Sequence, residues 1–179
     1  ARDALAEIEN TFDTLARIGL MDAADAPTLM RRVRMVPASA AAEAFGGAAN
    51  ASALSSYRVT DDTFHLVSAS VLTAQTAACW VVVTGNGKYA YTTNAGSDSI
   101  SSYGVNNDDS LTMLDSVAVS SGAGSHPTDM ALSHNSQYLY TLNAFTHTMS
   151  GFSVQSDGSL TTVMTMNGMP EFSVGLAAR

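Results

Sequence analysis

His126-Pro127-Thr128-Asp129 sets an imidazole and a carboxylate within four residues at the head of an apolar run. There a histidine can serve as general base or metal ligand, and an aspartate can orient it. The same tetrapeptide also suits a structural role, with Pro127 fixing the backbone at a strand start and Asp129 offering its oxygens to N–H groups of the turn. Gln75 precedes a second apolar run in much the same way and is a candidate ligand contact. The remaining chemistry-bearing residues are scattered. His65, His134 and His147 show no i, i+2 or i, i+4 pairing, so no metal site from a single chain is expected. Asp61-Asp62, Asp108-Asp109 and Asp157-Gly158 recur at one kind of turn, which fits turn chemistry better than a row of calcium ligands. No G-x-S-x-G, phosphate-binding loop or dinucleotide fingerprint occurs, and no cofactor is expected. A single cysteine excludes an intrachain disulfide and a multi-cysteine zinc site, and its apolar surroundings read as those of a buried, inert thiol at Cys79.

The elements that must position these groups are repeated. Tyr89-Ala90-Tyr91-Thr92-Thr93-Asn94 returns 49 residues later as Tyr138-Leu139-Tyr140-Thr141-Leu142-Asn143. The same offset carries Ile100 onto Met149, Tyr103 onto Phe152 and Ser110-Leu111-Thr112 onto Ser159-Leu160-Thr161. Upstream, Ser55 to Val59 matches Ser101 to Val105 at an offset of 46. Turn residues punctuate β-branched and aromatic runs. They delimit strands at Cys79–Thr84, Tyr89–Asn94, Ser99–Val105 and Leu111–Val117, then at Thr128–Ser133, Tyr138–Asn143, Thr148–Val154 and Leu160–Met166. Four strands per roughly fifty residues make one blade of a β-propeller. The fold expected for residues 43–179 is therefore all-β, with about three four-stranded antiparallel blades. Tyr138 and Tyr140 are expected among packed blades, so aspartate at either should disrupt folding. Met164, Met166 and Met169, with Met113, Met130 and Met149, are expected to fill gaps between blades.

Residues 1–42 read differently. Leu5, Ile8, Phe12 and Leu15 form an apolar stripe at helical spacing, and a second short helix fits from Asp25 to Arg34. This helical appendage ends in a junction at Pro37 and the small residues after it. It holds five of the seven arginines, leaving the repeat region acidic. A net charge of −8 argues against nucleic acid as a partner, and no run of about 18 apolar residues suggests a membrane span.

The sequence Tyr-x-Tyr-x-x-Asn, an Ile or Met strand, an aromatic-x-Val and then Asp157-Gly158-Ser159-Leu160-Thr161 resembles the repeat of the lactonase-type seven-bladed propellers. That group includes bacterial 6-phosphogluconolactonases and carboxymuconate cyclases. Gln75 to Trp80 and Gly175 to Arg179 resemble the C-terminal blades of one bacterial branch. The resemblance implies a hydrolase of a lactone ring, with Glu43, His126 and Asp129 as catalytic candidates around the central channel and Gln75 as ligand contact. One departure bears on substrate. Family members often carry Asn-Arg-Gly-His-Asp-Ser-Ile where this chain has Asn94-Ala95-Gly96-Ser97-Asp98-Ser99-Ile100. An anionic sugar phosphate needs a cationic partner, so the lactone expected is not phosphorylated. Residues 43–179 hold a little under three blades, whereas propellers close with about four to eight. An open arc exposes apolar faces and is expected to self-associate. The alternative to an enzyme is thus a non-catalytic propeller that binds or assembles. The acidic, Ser/Thr-rich surface leans towards an extracytoplasmic setting.

Overall fold

The computed structural model describes residues 52–60, 63–171 and 173–178. The helices and junction expected over 1–42, and Glu43, lie outside these residues. The described part is built from ten strands. β1 (Ala53–Thr60) and β2 (Thr63–Leu72) form an antiparallel pair. β3 (Ala78–Val83), β4 (Tyr89–Asn94), β5 (Ser99–Val105) and β6 (Leu111–Ser120) form a four-stranded sheet in chain order. β7 (Pro127–Leu132), β8 (Tyr138–Asn143), β9 (Thr148–Val154) and β10 (Leu160–Asn167) form a second sheet in the same order. All pairings are antiparallel, so each sheet is a meander closed by short turns. The fold is that of propeller blades, as the sequence pattern predicts. The one sizeable difference in bounds is β6, which runs to Ser120 past the expected end at Val117.

The two four-stranded sheets agree in register. Thr92 faces Ser101 in the first, and Thr141 faces Ser150 in the second. The asparagine that closes each Tyr-x-Tyr-x-x-Asn motif explains why. Asn94 Nδ2 donates to Ser99 Oγ at 3.2 Å and Ser101 Oγ at 2.8 Å, while Asn143 Nδ2 donates to Thr148 Oγ1 and Ser150 Oγ at 2.9 Å each. Both asparagines are fully buried, so each amide fixes the pairing of second and third strands from inside, where losing a partner would cost about 1–3 kcal/mol. The outer turns are held by carboxylates. Asp108 Oδ1 accepts from Ser110 N and Oγ, and Asp157 Oδ1 from Ser159 N and Oγ. Turn chemistry therefore accounts for these aspartates, and among the described residues no cluster suits a metal ion.

The core lies between the sheets. Tyr91 and Ile100 from the first pack with Met130, Leu139, Phe152 and Leu160 of the second. Fully burying one such side chain stabilises by about 1.5–3 kcal/mol. Tyr91 also reaches across: its hydroxyl donates to Gly158 O at 2.9 Å, and neighbouring Tyr89 donates to Ser156 O at 2.9 Å. The β9–β10 turn thus sits on the two tyrosines of the preceding sheet. Burial pushes the Tyr91 hydroxyl up to about 12, so it stays a donor at any ordinary pH.

Three sequence expectations fail for one reason: what covers a face is decided by the neighbouring unit. Tyr138, the counterpart of Tyr89, is 42% exposed because no described turn lies over it, and aspartate there should be tolerated. Met164 and Met166 are exposed on β10, whereas Met130 is buried in the core as expected. Cys79 is also exposed, on the first strand of its sheet, with its thiol donating weakly to Thr128 O at 3.4 Å.

Gly158 is where this packing is least forgiving. It has φ +83°, and a β-carbon there would stand 2.5 Å from the Tyr89 ring. Gly158→Ala should lower stability by about 1–3 kcal/mol through backbone strain and displacement of that ring. Urea unfolding followed by fluorescence of Trp80 reads the change, with Tyr138→Asp as the comparison expected to stay within about 0.5 kcal/mol of the parent.

Candidate functional site

The loops that feed β3 and β7 lie at the same strand ends as the β4–β5 and β8–β9 turns. Ala95 N–H donates to Ala77 O and Gly96 N–H to Thr76 O; one repeat later Ala144 N–H donates to His126 O and Phe145 N–H to Ser125 O. Ala77 (φ 54°) and His126 (φ 49°) are both left-handed, so a kink of the same kind starts each inner strand.

Asp98 ties the first sheet to the second. A 3₁₀ turn over residues 95–97 delivers it in a left-handed conformation, φ 53° and ψ 40°. One carboxylate oxygen accepts from Gly124 N–H at 2.7 Å, and the other from His126 N–H at 2.9 Å. The backbone N–H of His126 does most to hold the Asp98 carboxyl below its ordinary 3.8, with Gly124 N–H adding to it and burial opposing.

His126 is consequently fixed at both ends. Its backbone belongs to Asp98, and its ring stacks on Phe145 with centroids 3.9 Å apart and planes 10° from parallel. Its Nδ1 lies 3.5 Å from Asp98 Oδ1 and, though buried, has no hydrogen-bond partner among the described residues. Asp129 is buried, and both oxygens are engaged: Oδ1 accepts from Met130 N–H at 2.7 Å and Oδ2 from Leu176 N–H at 3.0 Å. Its carboxylate therefore anchors the segment that follows β10. Gln75 is half-buried before β3, with its backbone N–H on Thr73 Oγ1 at 3.0 Å. His126 and Asp129 thus share one strand start, with Gln75 at the start of the adjacent inner strand.

Beside His126 is a cleft of about 610 Å³. Thr128, Leu142, Phe145, His147, Met169 and Val174 are among the residues that line it, and Glu171 lies at it as well. Among the described residues the lining is chiefly apolar and contains no lysine or arginine. Phe145 forms part of its wall and carries His126 stacked on it. Phe145 stands outside every sequence motif, Met169 reads from the sequence only as a gap-filling methionine, and His147 lacks metal-ligand spacing, so none of the three is marked as a site residue by the sequence. Asp98 was in view only as part of the Asn94-to-Ile100 frame.

Antiparallel four-stranded meanders, stacked face to face with matching registers about fifty residues apart, define β-propeller blades. A family profile described as "Lactonase, 7-bladed beta-propeller" matches residues 28–177. The chain belongs to that family. Its match begins upstream of the junction expected at 37–42. No curated protein sequence matches the chain. Among solved structures, a functionally unknown protein from Desulfotomaculum acetoxidans is similar at 18% identity and TM-score 0.53, over 65% of this chain and 36% of that one. A 6-phosphogluconolactonase-like protein from Bacteroides uniformis is similar at 21% identity and TM-score 0.50, over 63% of this chain and 36% of its own. The periplasmic gluconolactonase PpgL of Pseudomonas aeruginosa aligns at 19% identity and TM-score 0.44, over 55% of this chain and 28% of that one. These likenesses are of fold, and the chain spans about a third of the length of each of these three structures.

The Asp98 contact has a pH signature. A folded-state value below 3.8 means the contact's stabilisation is complete above the ordinary carboxylate range and lost as pH falls through the lowered value. Asp98→Asn should melt lower than the parent at pH 7. The gap should narrow below about pH 4 as the parent's carboxylate takes up its proton. Melting curves from pH 7 to pH 2.5 check this, and a gap independent of pH would remove the charge from the account.

Proposed function

We propose that the chain contributes to a lactonase-type propeller that hydrolyses an uncharged, non-phosphorylated lactone. The observation that carries this reading is the cleft beside His126. Among the described residues it is apolar, large enough for a small ring, lined by the His147 imidazole and by the Phe145 ring on which His126 stacks, and free of the cationic side chains that a phosphate requires. In this reading water adds to the ring carbonyl, the ring C–O bond breaks, and the products are a hydroxyl, a carboxylate and one proton. His126 is the base that takes the proton from water. Asp129 positions the inner strand beside it, Gln75 contacts ligand from the adjacent strand, and Glu43 belongs to the same proposal as a second carboxylate at the channel. No cofactor enters the reaction.

Proton release in a pH-stat with δ-valerolactone, against a phosphorylated sugar lactone, tests the reading. The uncharged ring should be opened faster. His126→Ala should lower that rate about 100-fold or more, the usual contribution of a general base. The fold should survive, since Ala77 already holds the equivalent backbone conformation one repeat earlier. An unchanged rate in a folded variant would remove His126 from catalysis.

The second reading, a binding or self-assembly module, is favoured by the uncovered side of the last sheet. Tyr138 stands where Tyr89 carries a turn, and Val163, Met164 and Met166 on β10 are exposed. Self-association through this face is a proposal, and the mass from light scattering at increasing concentration should rise if it is correct.

A further inference from the structure

We infer that the cleft walled by Phe145 takes a cyclic ester with a hydrocarbon body, a small lactone ring bearing an alkyl chain, in preference to a polyhydroxylated sugar lactone. That the ligand is a lactone rests on the reading above. The preference for hydrocarbon over hydroxyl rests on which groups of the lining are still free to bond.

A sugar lactone carries a hydroxyl on nearly every ring carbon, and each needs hydrogen-bond partners once it leaves water. The lining has few to give. Asn143 is at the cleft, but its amide is spent: Nδ2 donates to Thr148 Oγ1 and Ser150 Oγ, and the oxygen accepts from Thr141 Oγ1 at 3.2 Å. The Ser173 hydroxyl donates to Pro170 O at 2.7 Å. The backbone N–H groups of Ala144, Phe145, Met169 and Ser173 are bonded within the chain, to His126 O, Ser125 O, His147 O and Pro170 O. Among the described residues, the side-chain donors left on the wall are the Thr128 hydroxyl and the His147 imidazole. These suffice for one ester group and fall short for a ring of hydroxyls. Glu171 is exposed and, when ionised, adds acceptors only.

The apolar part of the wall is unused by contrast. Phe145 is 68% exposed and Val174 85%. With Leu142 and Met169 they border about 610 Å³, room for more than a small ring. A methylene fully buried against such a wall gains about fourfold in affinity, whereas a hydroxyl left unpaired there loses roughly tenfold. The free groups and the free surface together match one polar ester and a hydrocarbon tail.

Binding without turnover separates this inference from the lactonase reading. δ-Valerolactam, its derivative with a pentyl chain on the carbon next to nitrogen, and glucono-δ-lactam are titrated into the full 179-residue chain. Calorimetry and backbone amide shifts are the readouts. The pentyl lactam should bind about tenfold or more tightly than valerolactam and shift the Phe145, Met169 and Val174 resonances, and gluconolactam should bind more weakly than either. Met169→Ser should weaken the pentyl lactam about fivefold or more and leave valerolactam within about twofold. Equal or undetectable binding of the pentyl and glucono lactams by the parent chain would overturn the preference, and so would undiminished pentyl lactam binding by folded Met169→Ser. The lactonase reading fails on a different observation, the absence of ring opening of δ-decalactone in the pH-stat, whatever the lactams do.

Discussion

A β-sheet with apolar side chains on both faces is stable only when both faces are covered, and in this chain the cover comes from the next copy of the same unit. The contact that makes this specific is the β9–β10 turn seated on Tyr89 and Tyr91. The tyrosine rings supply buried area, their hydroxyls supply direction, and Gly158 lets the turn approach closely enough. The same demand explains the side of the second sheet over which no described unit lies: Tyr138, Met164 and Met166 are exposed there. Sequence identity at a repeat position therefore does not fix burial, because position in the stack decides it.

Much of the architecture was legible because the features that repeat are local. Tyr-x-Tyr-x-x-Asn sets strand alternation and ends in an amide that pins the register, and Asp-x-Ser closes a turn by its own hydrogen bonds. Strands read from these signals agree with the structure to within a residue or two, except at β6. What could not be read was the kink shared by Ala77 and His126, since two different side chains carry one kind of left-handed backbone. Cys79 and Tyr138 were misplaced because an apolar run says that a strand is half-buried without saying which half.

The candidate site shows the same division between local and contextual information. His126 and Asp129 were found by type and spacing, yet the structure gives each a definite mechanical duty. The backbone of one receives Asp98, and the carboxylate of the other holds Leu176. Neither duty excludes chemistry: the bond to Asp98 uses the His126 main chain, and the imidazole itself stacks on Phe145 of the cleft wall. The cleft itself was invisible in the sequence, because Phe145, Val174 and other residues of its wall belong to no motif.

The claim on which the rest depends is that each sheet draws its stability from the unit stacked on it. Amide hydrogen exchange resolved by residue tests it directly. Local protection follows burial and packing, so Tyr91, Thr92 and Ile100 in the covered sheet should exchange slowest, and Met164 to Met166 on the uncovered β10 fastest, by orders of magnitude. Equal protection of β4 and β10 would contradict the account, because it would mean that the sheets are stable without their neighbours.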